Sequence, residues 1–239
     1  FMVVATDSMH RWVESWMHRH VCEAAPAVNV ADMTGAFAQI NVQGPLSRRA
    51  LQAVTTADLS DSAFAFRDAQ SIYIGFAKVL CMRITYLGEL GYELYVPVEQ
   101  SEHVYHTLLA AGNGDDADVP ALRHAGLKAL ASLRLEKGYR DFGHDVDNTD
   151  HILETGLGFT VDFDKPGGFI GKEAVLARKL EVTEGNGKAP GKGPMRLKKR
   201  LVNVQCLDAE PLFYHGEVIF HDDVAVGYVR AGSYGHTVG

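Results

Sequence analysis

Apolar positions recur along this chain in two periods, helical and strand-like, and the switches between them mark out its elements. Met9, Trp12, Val13, Trp16 and Met17 fall at helical spacing, so residues 9–20 are expected to form an amphipathic helix with Ser8 as N-cap after Asp7. Its apolar face belongs to a core or to an interface. Residues 1–4 begin directly in a strand-like run, and residues 28–33 and 36–43 alternate at the strand period before stopping at Gly44-Pro45. A short helix over 46–54 carries Arg48 and Arg49, and residues 71–86 are strand-rich. Residues 99–111 form a helix with Val104, Leu108 and Leu109 inward and acidic residues in the first turn, where they complement the macrodipole. The loop 112–116 follows. The strongest helical pattern is 122–137, with Leu127, Leu130, Ala131, Arg134 and Leu135 along one side and Gly138 suited to the position after its C-cap. Beyond it, 156–163 reads as a strand and 173–180 as a helix. Short strands at 201–206, 217–220 and 225–230 have the spacing of the start of a small β-barrel or sandwich.

One stretch carries candidate chemistry. Residues 84–97 read as two strands joined at a tight reversal, with Ile84 and Tyr86 on the first and Tyr92, Leu94 and Val96 on one face of the second. Gly88 and Gly91 bracket the turn, where positive φ favours glycine. Tyr86 is thereby set near two carboxylates, Glu89 and Glu93. A flat heterocycle with adjacent N–H donors can stack on such a ring and be held bidentately by a carboxylate; taken alone, the same pattern is a hairpin with a solvated turn. Residues 139–145 form a polar-aromatic loop of the kind that lines pockets.

Composition narrows the field. At 239 residues, 46% hydrophobic and 22% charged, the chain can bury a substantial core. A formal charge of −7 argues against broad nucleic-acid binding, and no apolar run is long enough to span a bilayer. Cys22, Cys81 and Cys206, odd in number and scattered, suit a reducing compartment with buried thiols. His103 and His106 stand at i, i+3 without a third ligand, and His18 and His20 point to different sides of a helix, so no metal site is expected. Residues 185–199, rich in Gly, Pro and Lys, read as a linker; they lack the spacing of a phosphate loop, and the basic cluster 188–200 reads as solvated. Both ends of the sequence have the look of an excised part of a longer chain.

Four blocks, in order, resemble the aminomethyltransferase (glycine-cleavage T-protein) family. They are Val42-Gln43-Gly44-Pro45, the run from Tyr86 through Gly88-Glu89 and Gly91-Tyr92 to Glu93, Leu133-Arg134-Leu135-Glu136-Lys137-Gly138-Tyr139, and Phe169-Ile170-Gly171-Lys172. The run Glu136-Lys137-Gly138-Tyr139-Arg140 and the glycines and tyrosines between Gly216 and Gly235 look closer to one branch, the folate-binding C-terminal part of sarcosine and dimethylglycine dehydrogenases. The resemblance implies an α+β fold: a folate-binding core over 1–184, a linker over 185–199 and the start of a C-terminal β-barrel over 200–239, truncated at both ends.

By the same resemblance the ligand is tetrahydrofolate. Tyr86 packs on the pterin, Glu93 holds its amino-pyrimidine edge, Arg134 lies near the cofactor, and Tyr139 and Phe142 supply an aromatic wall. For Arg134 an ion pair with Glu136 or a neighbouring strand is equally open. In such dehydrogenases a flavin domain oxidises an N-methyl amine, and the folate domain captures the one-carbon unit as 5,10-methylenetetrahydrofolate. The family's acid–base aspartate falls upstream of Phe1, as does the FAD-binding domain, the partner expected within the full-length chain. Asp7 reads as a capping residue. No nucleic acid and no membrane is expected as a partner; the implied compartment is the mitochondrial matrix in a eukaryote and the cytoplasm otherwise. Ala5-Thr6, where T-proteins have Asn-Ala, keeps open a non-catalytic regulatory protein on this scaffold, akin to the regulatory subunit of pyruvate dehydrogenase phosphatase. A free-standing T-protein is the remaining alternative.

Overall fold

A computed structural model describes residues 1–22, 24–25, 27–114, 118–184, 197, 199–208 and 210–238, with the side chains of Cys22 and of 180–184 left aside. The expected linker 185–199 therefore lies outside the described residues except for Leu197 and Lys199, as do Asp115 and Asp116 of the loop before it. The chain divides into two compact units, Phe1–His124 and Ala125–Gly239.

In the first unit the alternating runs become one antiparallel sheet of β1 (Phe37–Gln43), β2 (Ala69–Ile74), β3 (Ala77–Met82) and β4 (Gly91–Pro97), ordered β1-β4-β3-β2. β4 is central, pairing from Phe37↔Pro97 to Gln43↔Gly91 on one side and through Leu80↔Tyr95, Cys81↔Leu94 and Met82↔Glu93 on the other. One face carries Val42, Ile72, Ile74, Val79, Cys81, Tyr92, Leu94 and Val96 into the core. Helices α2 (Ser47–Gln52) and α3 (Ser101–Gly112) pack against β4 and bring Leu51, Val104 and Leu108. The fully buried Tyr92 keeps its hydroxyl satisfied by Arg48 Nε at 3.2 Å. Burial pushes the Cys81 thiol up to about 12, leaving it inert, whereas Cys206 is exposed, contrary to the expectation of buried thiols throughout.

The reversal expected at 84–97 is looser than its glycines suggest. The first strand ends at Met82, so Ile84 and Tyr86 lie in an eight-residue connection and not in the ladder. Arg83 N still reaches Asp68 O at 2.9 Å, but Thr85 Oγ1 then accepts from Leu87 N at 3.1 Å, a local bond that competes with strand pairing. Gly88 takes φ +73°, as expected of a turn glycine; Gly91 does not have positive φ. There the constraint is space, because a Cβ would stand 1.8 Å from Gln43 Oε1. Residues 1–4 and 28–33 form no strand: their backbone finds no sheet edge, and Met2, Val3, Val4, Val28 and Met33 are exposed.

Helix α1 (His10–Met17) is shorter than expected. It begins with a 3₁₀ turn at Asp7–Met9, in which Asp7 Oδ1 accepts from Ser8 N at 2.8 Å; Ser8 itself caps nothing. No residue of α1 is buried. Trp12 and Trp16 stack on one another, 5.3 Å between ring centroids, on its outer surface.

The second unit contains α4 (Leu127–Glu136), α5 (Lys172–Glu184) and a hairpin of β5 (Val218–His221) and β6 (Val224–Tyr228). Asp222 and Asp223, with φ +48° and +60°, form the two-residue turn whose twist matches its strands. Residues 156–163 form a 3₁₀ turn at Gly158–Thr160 in place of a strand, and 201–206 do not join the hairpin. Apolar burial is slight: Val146 is the one buried apolar side chain among the described residues of this unit, beside buried Ser132, Arg134, Asp145, Glu154 and Thr155.

Leu94→Ala, which empties space under the central strand, is expected to cost ~2–5 kcal/mol of unfolding free energy, while Trp12→Ala on α1 costs under ~0.5 kcal/mol. Urea denaturation followed by far-UV circular dichroism measures both.

Candidate functional site

Alternation on β1 and β4 sends apolar residues to the core and polar residues to the opposite sheet face. Because Asn41 stands opposite Glu93 and Gln39 opposite Tyr95, that face carries Gln39, Asn41, Gln43, Glu93 and Tyr95 as one strip. Glu93 is half-buried, and Tyr95 Oη donates to its Oε2 at 2.7 Å. Burial first, and then the bond to Glu93, pushes the Tyr95 phenol well above its ordinary value, so it stays protonated and donating. Gln43 Nε2 points toward Asn41 Oδ1, at 3.4 Å, while Gln43 Oε1 is buried and accepts no hydrogen bond among the described residues. The strip thus offers a carboxylate oriented by a phenol and an amide oxygen in need of a donor. Tyr86 is half-buried in the connection that leads into β4.

In the second unit the C-terminus of α4 sets up the aromatic loop. Gly138 (φ +68°) closes the helix, with Tyr139 N bonded to Arg134 O and Gly138 N to Leu135 O, both at 2.9 Å, which fixes the direction in which Tyr139 leaves. The Arg134 side chain is buried, and its Nη1 bonds Asp145 Oδ2 and, at 3.1 Å, Tyr139 O. Asp145 Oδ2 also accepts from Asp141 N at 3.0 Å. Arg134 is therefore paired neither with Glu136 nor with a strand; it closes loop 139–145 on itself. Phe142, bridged to Val146, is exposed. Of the expected cofactor residues, Arg134 on α4 and Tyr139 and Phe142 in the loop belong to the second unit, where Arg134 bonds the Tyr139 carbonyl, and Tyr86 and Glu93 belong to the first unit.

Three features escaped sequence reading. Asn41 was visible only as the polar half of an alternating strand, and Gln43 as that and as part of a family block; their register against β4 was not visible. Glu136 turns out to hold the C-terminal segment, accepting from Thr237 N at 2.7 Å and Thr237 Oγ1 at 2.9 Å. An ion cluster joins Arg230 Nη2 to Asp150 (2.8 and 2.7 Å to its two oxygens), Arg230 Nη1 to Asp147 (3.4 Å) and Lys199 to Asp150 (2.7 Å). Asp150, Lys199 and Arg230 border a cavity of about 150 Å³ that Asp145 and Tyr228 also line. Their signal in the sequence was only that of charges in loops.

Burial raises the Asp150 carboxyl, but Lys199, the Asp147 backbone and Arg230 outweigh it and hold it below the usual range; Asp147 is held down by Thr149 and then by Arg230. Among the described residues no three His, Cys, Asp or Glu side chains are grouped to hold a metal ion, and no helix is long and apolar enough to cross a membrane.

An antiparallel sheet with a polar strip on the face away from its core, followed in the chain by a helix-anchored aromatic loop and a small β-hairpin, is an α+β build. Residues 1–165 match the GCVT N-terminal domain and residues 199–239 the glycine cleavage T-protein C-terminal barrel domain, and the chain belongs to the glycine cleavage T-protein family. It is 37% identical over 239 residues to the 4-methylaminobutanoate oxidase (formaldehyde-forming) of Paenarthrobacter nicotinovorans, covering 100% of this chain and 26% of that protein. It is 35% identical over 230 residues to mitochondrial dimethylglycine dehydrogenase of Mus musculus (95% and 24%), and 34% identical over 224 residues to the aminomethyltransferase of Halothermothrix orenii (94% and 56%). The chain thus spans about a quarter of the first two relatives and just over half of the third.

Arg134→Met leaves the Asp145 carboxylate buried without its partner and is expected to destabilise the protein by ~3–5 kcal/mol; the double variant Arg134→Met/Asp145→Leu recovers most of that loss in chemical denaturation. Because the folded carboxyls of Asp147 and Asp150 titrate below their ordinary value of 3.8, their stabilisation is complete above that value and is lost as pH falls through the depressed folded values. Denaturation between pH 7 and pH 3 is expected to show a decline beginning near about pH 4 that is shallower in Asp150→Asn.

Proposed function

We propose that this chain is a tetrahydrofolate-binding one-carbon transfer domain of a sarcosine or dimethylglycine dehydrogenase-like enzyme, taking up an oxidised N-methyl group as 5,10-methylenetetrahydrofolate. The observation that carries the reading is the strip on the face of β1 and β4 away from the core, where the half-buried Glu93 carboxylate is held by Tyr95 beside the buried, unpartnered amide oxygen of Gln43. Family membership supports it, as do the names of the relatives, two of which act on methylated amines and one of which transfers an aminomethyl group.

The acceptor set suits the ligand. An amino-pyrimidine edge presents parallel N–H groups, which a carboxylate accepts in pairs, and an amide oxygen accepts a further one. Glu93 and Gln43 would hold that edge and Tyr86 would pack on the ring; for Tyr139 and Phe142, in the second unit, the proposed part is that of an aromatic wall, as the family resemblance implies. When bound, tetrahydrofolate supplies the nucleophilic nitrogen that takes up the one-carbon unit, so the chain's own part is to bind, orient and keep water out. Arg134 serves through the loop it closes and not through direct contact with the ligand. The amine-oxidising FAD domain would be the partner in the full-length protein, and this reading puts the protein in the mitochondrial matrix of a eukaryote or the cytoplasm of a bacterium.

Isothermal titration of the chain with tetrahydrofolate tests the assignment. Replacing the charged acceptor with a neutral one, in Glu93→Gln, is expected to weaken binding about 10- to 100-fold, the loss of one charge-assisted hydrogen-bonded pair. Wild-type protein that evolves no heat of binding, or a Glu93→Gln variant that binds equally well, overturns it.

A further inference from the structure

We infer that Arg230, far along the chain in the segment that matches the C-terminal barrel domain, is a positioning residue for the aromatic loop 139–146; that this loop serves a ligand rests on the folate reading above. The base of the β5–β6 hairpin holds Arg230 in place. Gly216 N bonds Val229 O and Val229 N bonds Glu217 O, each at 2.8 Å, and the His215 ring bonds Arg230 O at 2.7 Å. The guanidinium lies 4.8 Å from the Tyr228 ring centroid, a stacking that further limits its rotamers.

From that base Arg230 reaches into the turn that follows the loop. Its Nη2 bonds both oxygens of Asp150 and its Nη1 reaches Asp147. Residues 147–150 are locked to each other as well, with Asp147 N donating to Asp150 Oδ2 at 3.0 Å and Thr149 N to Asp147 Oδ1 at 2.7 Å. This turn begins where the loop ends: Val146 O accepts Gly143 N at 2.7 Å, and the amides of His144, Asp145 and Val146 all converge on Asp141 O. The loop is therefore pinned by Arg134, through the Tyr139 carbonyl at its start and Asp145 near its finish, and by Arg230, through Asp147 and Asp150 just beyond its finish.

The same C-terminal segment is anchored a second time, on α4. Ser132 Oγ donates to Tyr234 O at 2.6 Å and Glu136 takes the Thr237 amide; these residues are four apart and share one side of the helix. Arg134, between them, projects toward the other side, into the loop. Helix α4 thus carries the loop on one side and the segment 234–237 on the other, and Arg230 is the third fastening between them. With so little apolar burial in this unit, these charged and hydrogen-bonded ties are what hold the loop that carries Tyr139 and Phe142.

The test is hydrogen exchange on the whole chain, resolved by peptide, combined with titration by tetrahydrofolate, for wild type, Arg230→Met and Arg230→Lys. Arg230→Met is expected to raise exchange of the amides at 143–146 about tenfold or more, to leave exchange in β4 unchanged, and to weaken tetrahydrofolate binding about tenfold. Arg230→Lys, which keeps the charge, is expected to recover part of both and remains informative if Arg230→Met does not fold. Unchanged exchange at 143–146, or raised exchange with unchanged affinity, overturns the positioning role. Wild-type protein without tetrahydrofolate binding sinks the folate reading alone, because the exchange comparison still decides whether Arg230 holds the loop.

Discussion

An arginine shut away from water with a single aspartate is an expensive object, and in the second half of this chain much depends on it. Taking the Arg134 guanidinium and the Asp145 carboxylate out of solvent costs several kcal/mol per ion, repaid only while the two stay together. The pair is also the hinge of the local geometry: one guanidinium nitrogen meets both Asp145 and the carbonyl of Tyr139, and the same carboxylate oxygen takes the Asp141 amide. The loop between helix α4 and Val146 has few other conformations that keep those charges matched. A buried ion pair with fixed hydrogen bonds admits few alternative arrangements, and here it holds the backbone of the loop that carries Tyr139 and Phe142.

The first unit uses the opposite strategy. Its sheet is bound by apolar contact on one face, where Tyr92, Leu94 and Val96 meet α2 and α3, and the other face carries polar side chains. Glu93 and Tyr95 alternate with those core residues on the same strand and inherit their rigidity. A carboxylate held on a central strand moves less than one on a loop, and it needs less reorganisation to accept paired N–H donors. Polar side chains on β1 complete the strip because antiparallel register sets Asn41 directly opposite Glu93.

Period and turn chemistry revealed β4, α3, α4 and α5 in the sequence, because each is a long run of consistent alternation or helical spacing bounded by Gly or Pro. Gly138 was legible for the same reason: the αL residue after a helix is a local demand. The reversal at 84–97 was misplaced because Ile84 and Tyr86 alternate like a strand while Thr85 bonds its own neighbourhood, and hydrophobic pattern does not register that competition. Arg134 was visible as an important residue, but its partner was not, since Asp145 becomes its neighbour only after the chain has turned at Gly138. Arg230 lies eighty residues from Asp150, and nothing local in either segment announces the other. The four family blocks carried what periodicity could not, yet they too were silent on which side chains support and which ones touch.

The placement of Trp12 and Trp16 has a practical side. They are the only tryptophans in the chain, they stack on the solvent side of a helix that buries nothing, and neither touches the sheet core. Intrinsic emission excited at the red edge of the absorption band will therefore follow the fraying of α1 and stay blind to the melting of β4 or the release of the aromatic loop. Light absorbed by the tyrosines is the better witness, since Tyr92 and Tyr95 sit in the central strand and Tyr139 at the mouth of the loop, each reporting on a different part of the fold.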